Sequence, residues 1–372
     1  MRADLRIVAV SDVPLGYGSP QIPAFVGSLK KLTGSTTCVV LEPDRIGQPV
    51  QHGQFSGMTV RRIFTTMNVY TPPGRIEYLL SAVAEIDRLK PDILVLFCTF
   101  TLPLLYRLRQ KPGIVIYYNY ESVANYPPAD RLANKWIEGM VDLLIYPEEN
   151  RAARDMEYCG FRDIPLGVVY NCPETGGGGT GSVRAQRVRR ILYAGTIDRQ
   201  RTFPDYFADP RIAKFPIDIF GRISGAEKDD LERKLKTLVG NVRFRGFLDG
   251  QAIARIRSSY LYSIIMWNPV DDQHFFACPN KFFEAIADGV PPIAAPHPQC
   301  RMIIDRYGCG ILMDDWSLDS FARALGKALT IAGTPAYDEL VENCRNAVAS
   351  ELTWDHQFAK LLPHLERLLA AV

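Results

Sequence analysis

Short, nearly continuous apolar runs alternate with amphipathic helical patterns along most of this chain, and that alternation leaves it few folds. Residues 5–10, 93–97, 113–118 and 142–146 are almost wholly apolar. Each therefore reads as a strand buried on both faces of a parallel sheet. Residues 37–41, 58–63 and 167–170 extend the set, with helical patterns at 22–32, 75–89, 102–109 and 129–139. Lys90-Pro91-Asp92 stops one of these helices, because the residue before a proline avoids the helical region. Strands and helices at this spacing specify an open, doubly wound sheet, which binds ligands beyond the carboxyl ends of its strands. The loops after Val10, Phe97 and Tyr118 are the places to look for a site.

The pattern then restarts. Residues 176–182 hold five glycines in seven positions, a composition that behaves as a flexible tether. Beyond it, strands are expected at 190–195, 217–221, 242–246, 261–266, 292–295 and 310–313, with helices at 226–238 and 251–258. A chain of 372 residues is long for one core. The division expected is a first domain over 1–172, a linker over 173–187, a second domain over 188–352 and a terminal helix over 353–372.

A formal net charge of only +2 gives no overall reason to expect nucleic-acid binding. Arg184, Arg187, Arg189 and Arg190 cluster locally, as do Lys30 and Lys31; these read as solvated surface charge, with attraction to anionic lipid or phosphate as the alternative. The eight cysteines contain no C-x-x-C pair, which favours reduced, buried thiols over disulfides or a zinc site. No apolar run approaches the ~18 residues of a membrane span, and the chain enters a strand almost at once without a signal-like segment. A cytoplasmic protein, at most peripheral to the inner membrane, is expected.

Residues 279–294 carry the most specific signal. Pro279-Asn280-Lys281-Phe282-Phe283-Glu284-Ala285-Ile286-Ala287-Asp288-Gly289-Val290-Pro291-Pro292-Ile293-Ala294 reads as a short helix turning into a buried strand. Lys281, Glu284 and Asp288 share one helical face, while Phe282, Phe283 and Ile286 can pack inward. By spacing alone this is a solvated Lys–Glu pair or a ligand-binding stripe. The segment resembles the nucleotide-sugar signature of glycosyltransferase family 4 in the GT-B fold. That resemblance implies two Rossmann-like doubly wound domains facing a central cleft, and transfer of a sugar from a nucleotide diphosphate sugar to an acceptor hydroxyl. It also implies retention of configuration, no metal or other cofactor, and a glycan or lipid-linked acceptor in bacterial polysaccharide or glycolipid synthesis.

By the same resemblance Glu284 holds the donor ribose, and Pro279 and Asn280 open a helix facing the phosphates. Tyr193-Ala194-Gly195-Thr196-Ile197-Asp198-Arg199-Gln200-Arg201 leaves the first strand of the second domain as a phosphate-facing loop. Arg201 stands where the family has a lysine, and Thr196 replaces its usual arginine. Arg201 and Lys281 are thus expected to neutralise the departing diphosphate, with Arg199, Gly195 and Thr196 beside it. The family's other glutamate falls at Phe276, so Asp271, Asp272 or His274 is expected to recognise the sugar, with Asn268 at the mouth of the site. In the first domain, Gly16 and Gly18 let backbone approach a ligand, and Glu121 is placed to orient or deprotonate the acceptor hydroxyl.

No D-x-D triplet is present, in keeping with a metal-independent transferase. A catalytically inactive sugar-nucleotide-binding protein and a sugar-nucleotide epimerase remain as alternatives. So does an NAD-dependent oxidoreductase, for which Gly16-x-Gly18 and Glu42 would be the fingerprint, although Gln21 holds the place of its third glycine.

Overall fold

The computed structural model describes residues 4–50, 55, 57–174 and 187–372. The chain divides into two compact units, Met1–Val169 with Phe358–Val372, and Tyr170–Gln357. The glycine-rich run 176–182, most of the expected linker 173–187, and Arg184 lie outside the described residues.

The first unit is built on seven parallel strands: β1 (Ile7–Val10), β2 (Cys38–Pro43), β3 (Thr59–Ile63), β4 (Ile93–Phe97), β5 (Ile114–Tyr118), β6 (Leu143–Tyr146) and β7 (Leu166–Val168). They lie in the order β3-β2-β1-β4-β5-β6-β7. Every residue of β1, β4, β5 and β6 is buried, which is why these strands read as unbroken apolar runs. Ile7 pairs with Cys38 on one side and Ile93 on the other, so the winding reverses between β1 and β4.

The helix Gln21–Thr33 buries Ile22, Phe25, Val26 and Leu29 and ends on Gly34 in the left-handed region. Phe25 meets Tyr118 edge-on and lies 5.9 Å from Phe358 of the terminal segment. That segment fits closely. A Cβ on Gly167 would stand 2.2 Å from the Leu361 side chain, and one on Gly113 3.2 Å from Val372.

Two elements differ from the pattern read in the sequence. The pattern at 102–109 reads as a helix, whereas Leu102–Arg107 forms a 3₁₀ turn with proline in its opening residues, followed by an extended Leu108. Pro103 has no N–H to give to a longer ladder. A helix absent from the apolar pattern, Glu149–Cys159, buries Arg151 and Asp155 as well as Ala152 and Cys159.

The second unit has six parallel strands: β8 (Val188–Ala194), β9 (Ile217–Phe220), β10 (Arg243–Phe244), β11 (Tyr260–Ile265), β12 (Pro292–Ala294) and β13 (Ile311–Leu312). Their order is β10-β9-β8-β11-β12-β13, reversing between β8 and β11. Between β11 and β12 runs the helix Asn280–Ala287, with Phe282, Phe283, Ala285 and Ile286 buried. Gly289 closes it at φ 65°, and the Val290 N–H reaches back to the Ala285 carbonyl at 2.9 Å. This is the glycine-capped corner that the sequence indicated. All eight cysteines are free and buried. Among the described residues no helix is long and apolar enough to cross a membrane.

Candidate functional site

In a doubly wound sheet the two loops that leave the reversal point part company and open a crevice. In the second unit these are the loops after β8 and β11. A Cβ on Gly221, at the end of β9, would stand 2.0 Å from the Gly195 carbonyl oxygen. Only a glycine there lets the two strand ends approach so closely. The β8 loop then turns on Asp198, whose carboxylate accepts from the Gln200 N–H at 2.8 Å and from the Ser224 hydroxyl at 3.1 Å. Thr196 and Arg201 are exposed.

The β11 loop is bonded to the β8 loop. Asn268 donates its backbone N–H to the Arg201 carbonyl at 2.9 Å and its side-chain amide to the Arg199 carbonyl at 3.4 Å. The structure thus brings Gly195, Thr196, Arg199, Arg201 and Asn268 together at one carboxyl edge. Arg199 pairs with Asp205 of the turn Pro204–Ala208 at 2.8 Å, and with Glu227 at 2.5 Å and Asp230 at 2.9 Å at the start of the helix Lys228–Lys236. These carboxylates hold its guanidinium firmly in the charged form, above its usual range. These pairs brace the loop. Asp272 opens the short helix Asp272–Phe275, capped by Asp271, which accepts from the His274 N–H at 2.8 Å.

Both ends of the β11 loop meet one imidazole. His297, fully buried behind β12, accepts from the Trp267 N–H through Nε2 at 3.3 Å and faces the Phe275 carbonyl through Nδ1 at 3.2 Å. An N–H can only donate and a carbonyl only accept, so the ring is neutral with its proton on Nδ1. Burial pushes its pKa down to about 4, more than the Phe275 and His274 carbonyls can offset. Trp316 packs edge-on against the ring.

On the helix Asn280–Ala287, Pro279 is the N-cap and supplies no capping side chain. Glu284 is gripped by Arg257 at 2.6 Å and Lys281 at 3.0 Å, and Arg257 also meets Asp288 at 3.0 Å. Burial pushes the Glu284 pKa up, but the charges of Lys281 and Arg257 outweigh it, and the carboxyl is held below its usual range. Arg257 is only 5% exposed and Lys281 is 37% exposed. Of the two partners, Lys281 is the one that reaches solvent. Sequence reading missed Arg257 and His297, since each pairing joins separate elements.

In the first unit the reversal lies between β1 and β4, and three loops converge there. Asp12 follows β1, Cys98 follows β4 with φ 61°, and Tyr120 follows β5. Tyr120 donates its hydroxyl to the Asp12 carboxylate, and Tyr70 donates to the Asp12 backbone carbonyl at 3.3 Å. Burial drives the Asp12 pKa up to about 7, against the Tyr120 hydrogen bond, and the charge of Glu121 adds to the rise. Sequence reading pointed to these loops without singling out Asp12.

Glu121 is half-buried on a stretch held from below. Asp155 accepts from the Val123 N–H at 3.0 Å and the Ser122 hydroxyl at 3.1 Å, and Arg151 donates to the Tyr120 carbonyl at 2.6 Å. Gly16 and Gly18 have φ values of 84° and 137°. A Cβ on Gly18 would meet nothing within 4 Å, so the demand there is for the backbone angle. Glu42, the acid of a dinucleotide fingerprint, is closed off: its carboxylate accepts from Arg62 at 2.6 Å and from the Leu15 N–H at 2.7 Å.

Residues 188–330 match the family model of glycosyl transferases group 1. No curated protein matches the chain. Among solved structures, the chain resembles sucrose-phosphate synthase from Thermosynechococcus elongatus at TM-score 0.72 and 16% identity, covering 99% of this chain and 100% of that one. It resembles a glycosyltransferase from Rickettsia africae at 0.72 and 13%, covering 98% and 99%. Anabaena HepE, solved in complex with UDP and glucose, aligns at 0.70 and 13%, covering 98% and 100%. The fold is that of the GT-B glycosyltransferases, and together with the family model these likenesses support a GT-B glycosyltransferase.

Proposed function

We propose that this protein transfers a sugar from a nucleotide diphosphate sugar to an acceptor hydroxyl, with the donor held by the second unit. The observation that carries the reading is the bonded pair of loops at the reversal between β8 and β11. There, Gly195, Thr196, Arg201 and Asn268 share one edge, and the connection from β11 goes on through the short helix Asp272–Phe275 to the helix bearing Glu284. A helix start with no side-chain cap suits a diphosphate. Exposed Arg201 and exchangeable Lys281 supply positive charge as the bond from the anomeric carbon to the diphosphate oxygen breaks, the acceptor oxygen bonds to that carbon, and the hydroxyl proton passes to Glu121 or to the departing diphosphate. On this reading no metal is needed. Glu284 takes the ribose hydroxyls by exchanging its contact with Lys281 while Arg257 keeps it in place.

Transfer with retention and a glycan or lipid-linked acceptor follow from the likeness to family 4, as does work in the cytoplasm, at most against the membrane face. The neighbour solved with UDP and glucose supports a sugar nucleotide as donor. In the first unit, Glu121 is the residue proposed to orient the acceptor hydroxyl.

The test is calorimetric titration of UDP, GDP, ADP and NAD against the parent protein and Glu284→Gln. Gln is chosen over Ala because it keeps an acceptor for the buried Arg257, whose other carboxylate contact is to Asp288, and leaves no cavity beside it. One nucleoside diphosphate should bind, with affinity at least tenfold weaker in the variant, a loss of about 1.4 kcal/mol. Binding of none, or equal binding by both proteins, overturns the donor-site assignment.

A further inference from the structure

The loop between β11 and the helix Asn280–Ala287 carries Asn268, Asp271, Asp272 and His274, the polar groups available to a donor sugar where the family glutamate is replaced by Phe276. We infer that His297 is a positioning residue for this loop and sets the discrimination between a nucleotide sugar and the bare nucleotide, an inference that rests on the donor-site reading above. A single side chain closes the loop at both ends: Trp267 N–H to Nε2 at 3.3 Å, and Nδ1–H to the Phe275 carbonyl at 3.2 Å. The two bonded residues flank the polar stretch, so the ring fixes its span.

The ring itself has no freedom. It sits at the N-cap of the helix Pro298–Tyr307, with the Arg301 N–H on its carbonyl at 2.8 Å. Trp316 covers it edge-on at 5.5 Å and packs against Phe275 at 5.6 Å. A neutral donor–acceptor imidazole is the one ring that meets both backbone demands at once. The β8 loop is bonded to Asn268 but also has braces of its own, through Asp198 to Gln200 and Ser224 and through Arg199 to three carboxylates. Loss of His297 therefore loosens the sugar side of the site and leaves the phosphate side in place.

The experiment compares parent, His297→Phe and His297→Gln. Phe keeps a ring in the cavity and removes both hydrogen bonds; Gln restores an acceptor for Trp267. Calorimetry first identifies which of UDP, GDP and ADP binds the parent, then measures that nucleotide and its hexose conjugate (UDP-glucose, GDP-mannose or ADP-glucose) on each protein. His297→Phe should bind the bare nucleotide within twofold of the parent and the sugar nucleotide at least tenfold more weakly, with His297→Gln between. If both ligands weaken equally, or neither changes, in a variant whose melting shows it folded, the inference is overturned while the donor site stands. If no nucleotide binds the parent, the donor-site reading fails and the inference with it.

Discussion

Replacing Asp12 by Asn should make the first unit more stable at neutral pH and leave it little changed in acid. Asp12 is 9% exposed, and burial lifts its pKa from 3.8 to about 7 in spite of the hydrogen bond from Tyr120. At about 1.4 kcal/mol for each pH unit, keeping this carboxylate ionised in the folded unit costs about 4 kcal/mol. The folded unit holds a proton that the unfolded chain releases near 3.8, so stability falls as pH rises from 3.8 towards 7 and then levels off. The Asn side chain can still accept from Tyr120 and does not titrate. The stability difference between variant and parent should therefore shift by about 3 kcal/mol in favour of the Asp12→Asn variant between pH 5 and pH 8. Urea unfolding of both proteins at pH 5, 6, 7 and 8 measures the difference. Amide exchange of peptides from β1, β4 and β5 reads first-unit opening apart from the rest. Parallel curves over that range would refute the reasoning, because they would mean that Asp12 titrates as an ordinary carboxylate.

The second unit should respond to acid in the opposite sense. His297 has a pKa of about 4 when folded against 6.5 when unfolded, so its contribution is complete above 6.5 and is lost as pH falls towards 4, by about 3 kcal/mol; His297→Phe should lack this loss when unfolding is followed from about pH 8 down to about pH 4. Gly221→Ala forces a methyl to 2.0 Å from the Gly195 carbonyl and should lower melting and nucleotide affinity together. Gly250→Ala, with nothing within 4 Å of the new atom, should change neither by more than about 0.5 kcal/mol.

The strands were legible because a parallel sheet covered on both faces leaves a plain apolar signature, as in β4 and β5. The helix Asn280–Ala287 was legible through its proline and glycine ends. The helix Glu149–Cys159 was not, since part of what it buries is an arginine and an aspartate engaged with the Tyr120–Val123 stretch. Hydrophobic periodicity cannot register a polar core face. At the site, the loops could be named from the ends of strands, but not the side chains that hold them. Arg257 is 27 residues from Glu284 and His297 is 30 from Trp267; such partners are set by the order of strands in the sheet, which local spacing does not encode. Asp12 was missed for a related reason. Its state comes from being enclosed by three separate loops.

The first unit is not continuous in the chain: Phe358–Val372 belongs to it, with Leu361 seated against Gly167 and Phe358 beside Phe25. During synthesis the ribosome delivers β1 to β7 first, then the whole of the second unit, and only afterwards the piece that covers the first. Until then the surface around Phe25 and Gly167 lacks its lid. A nascent chain of this design cannot finish its domains in the order in which it makes them.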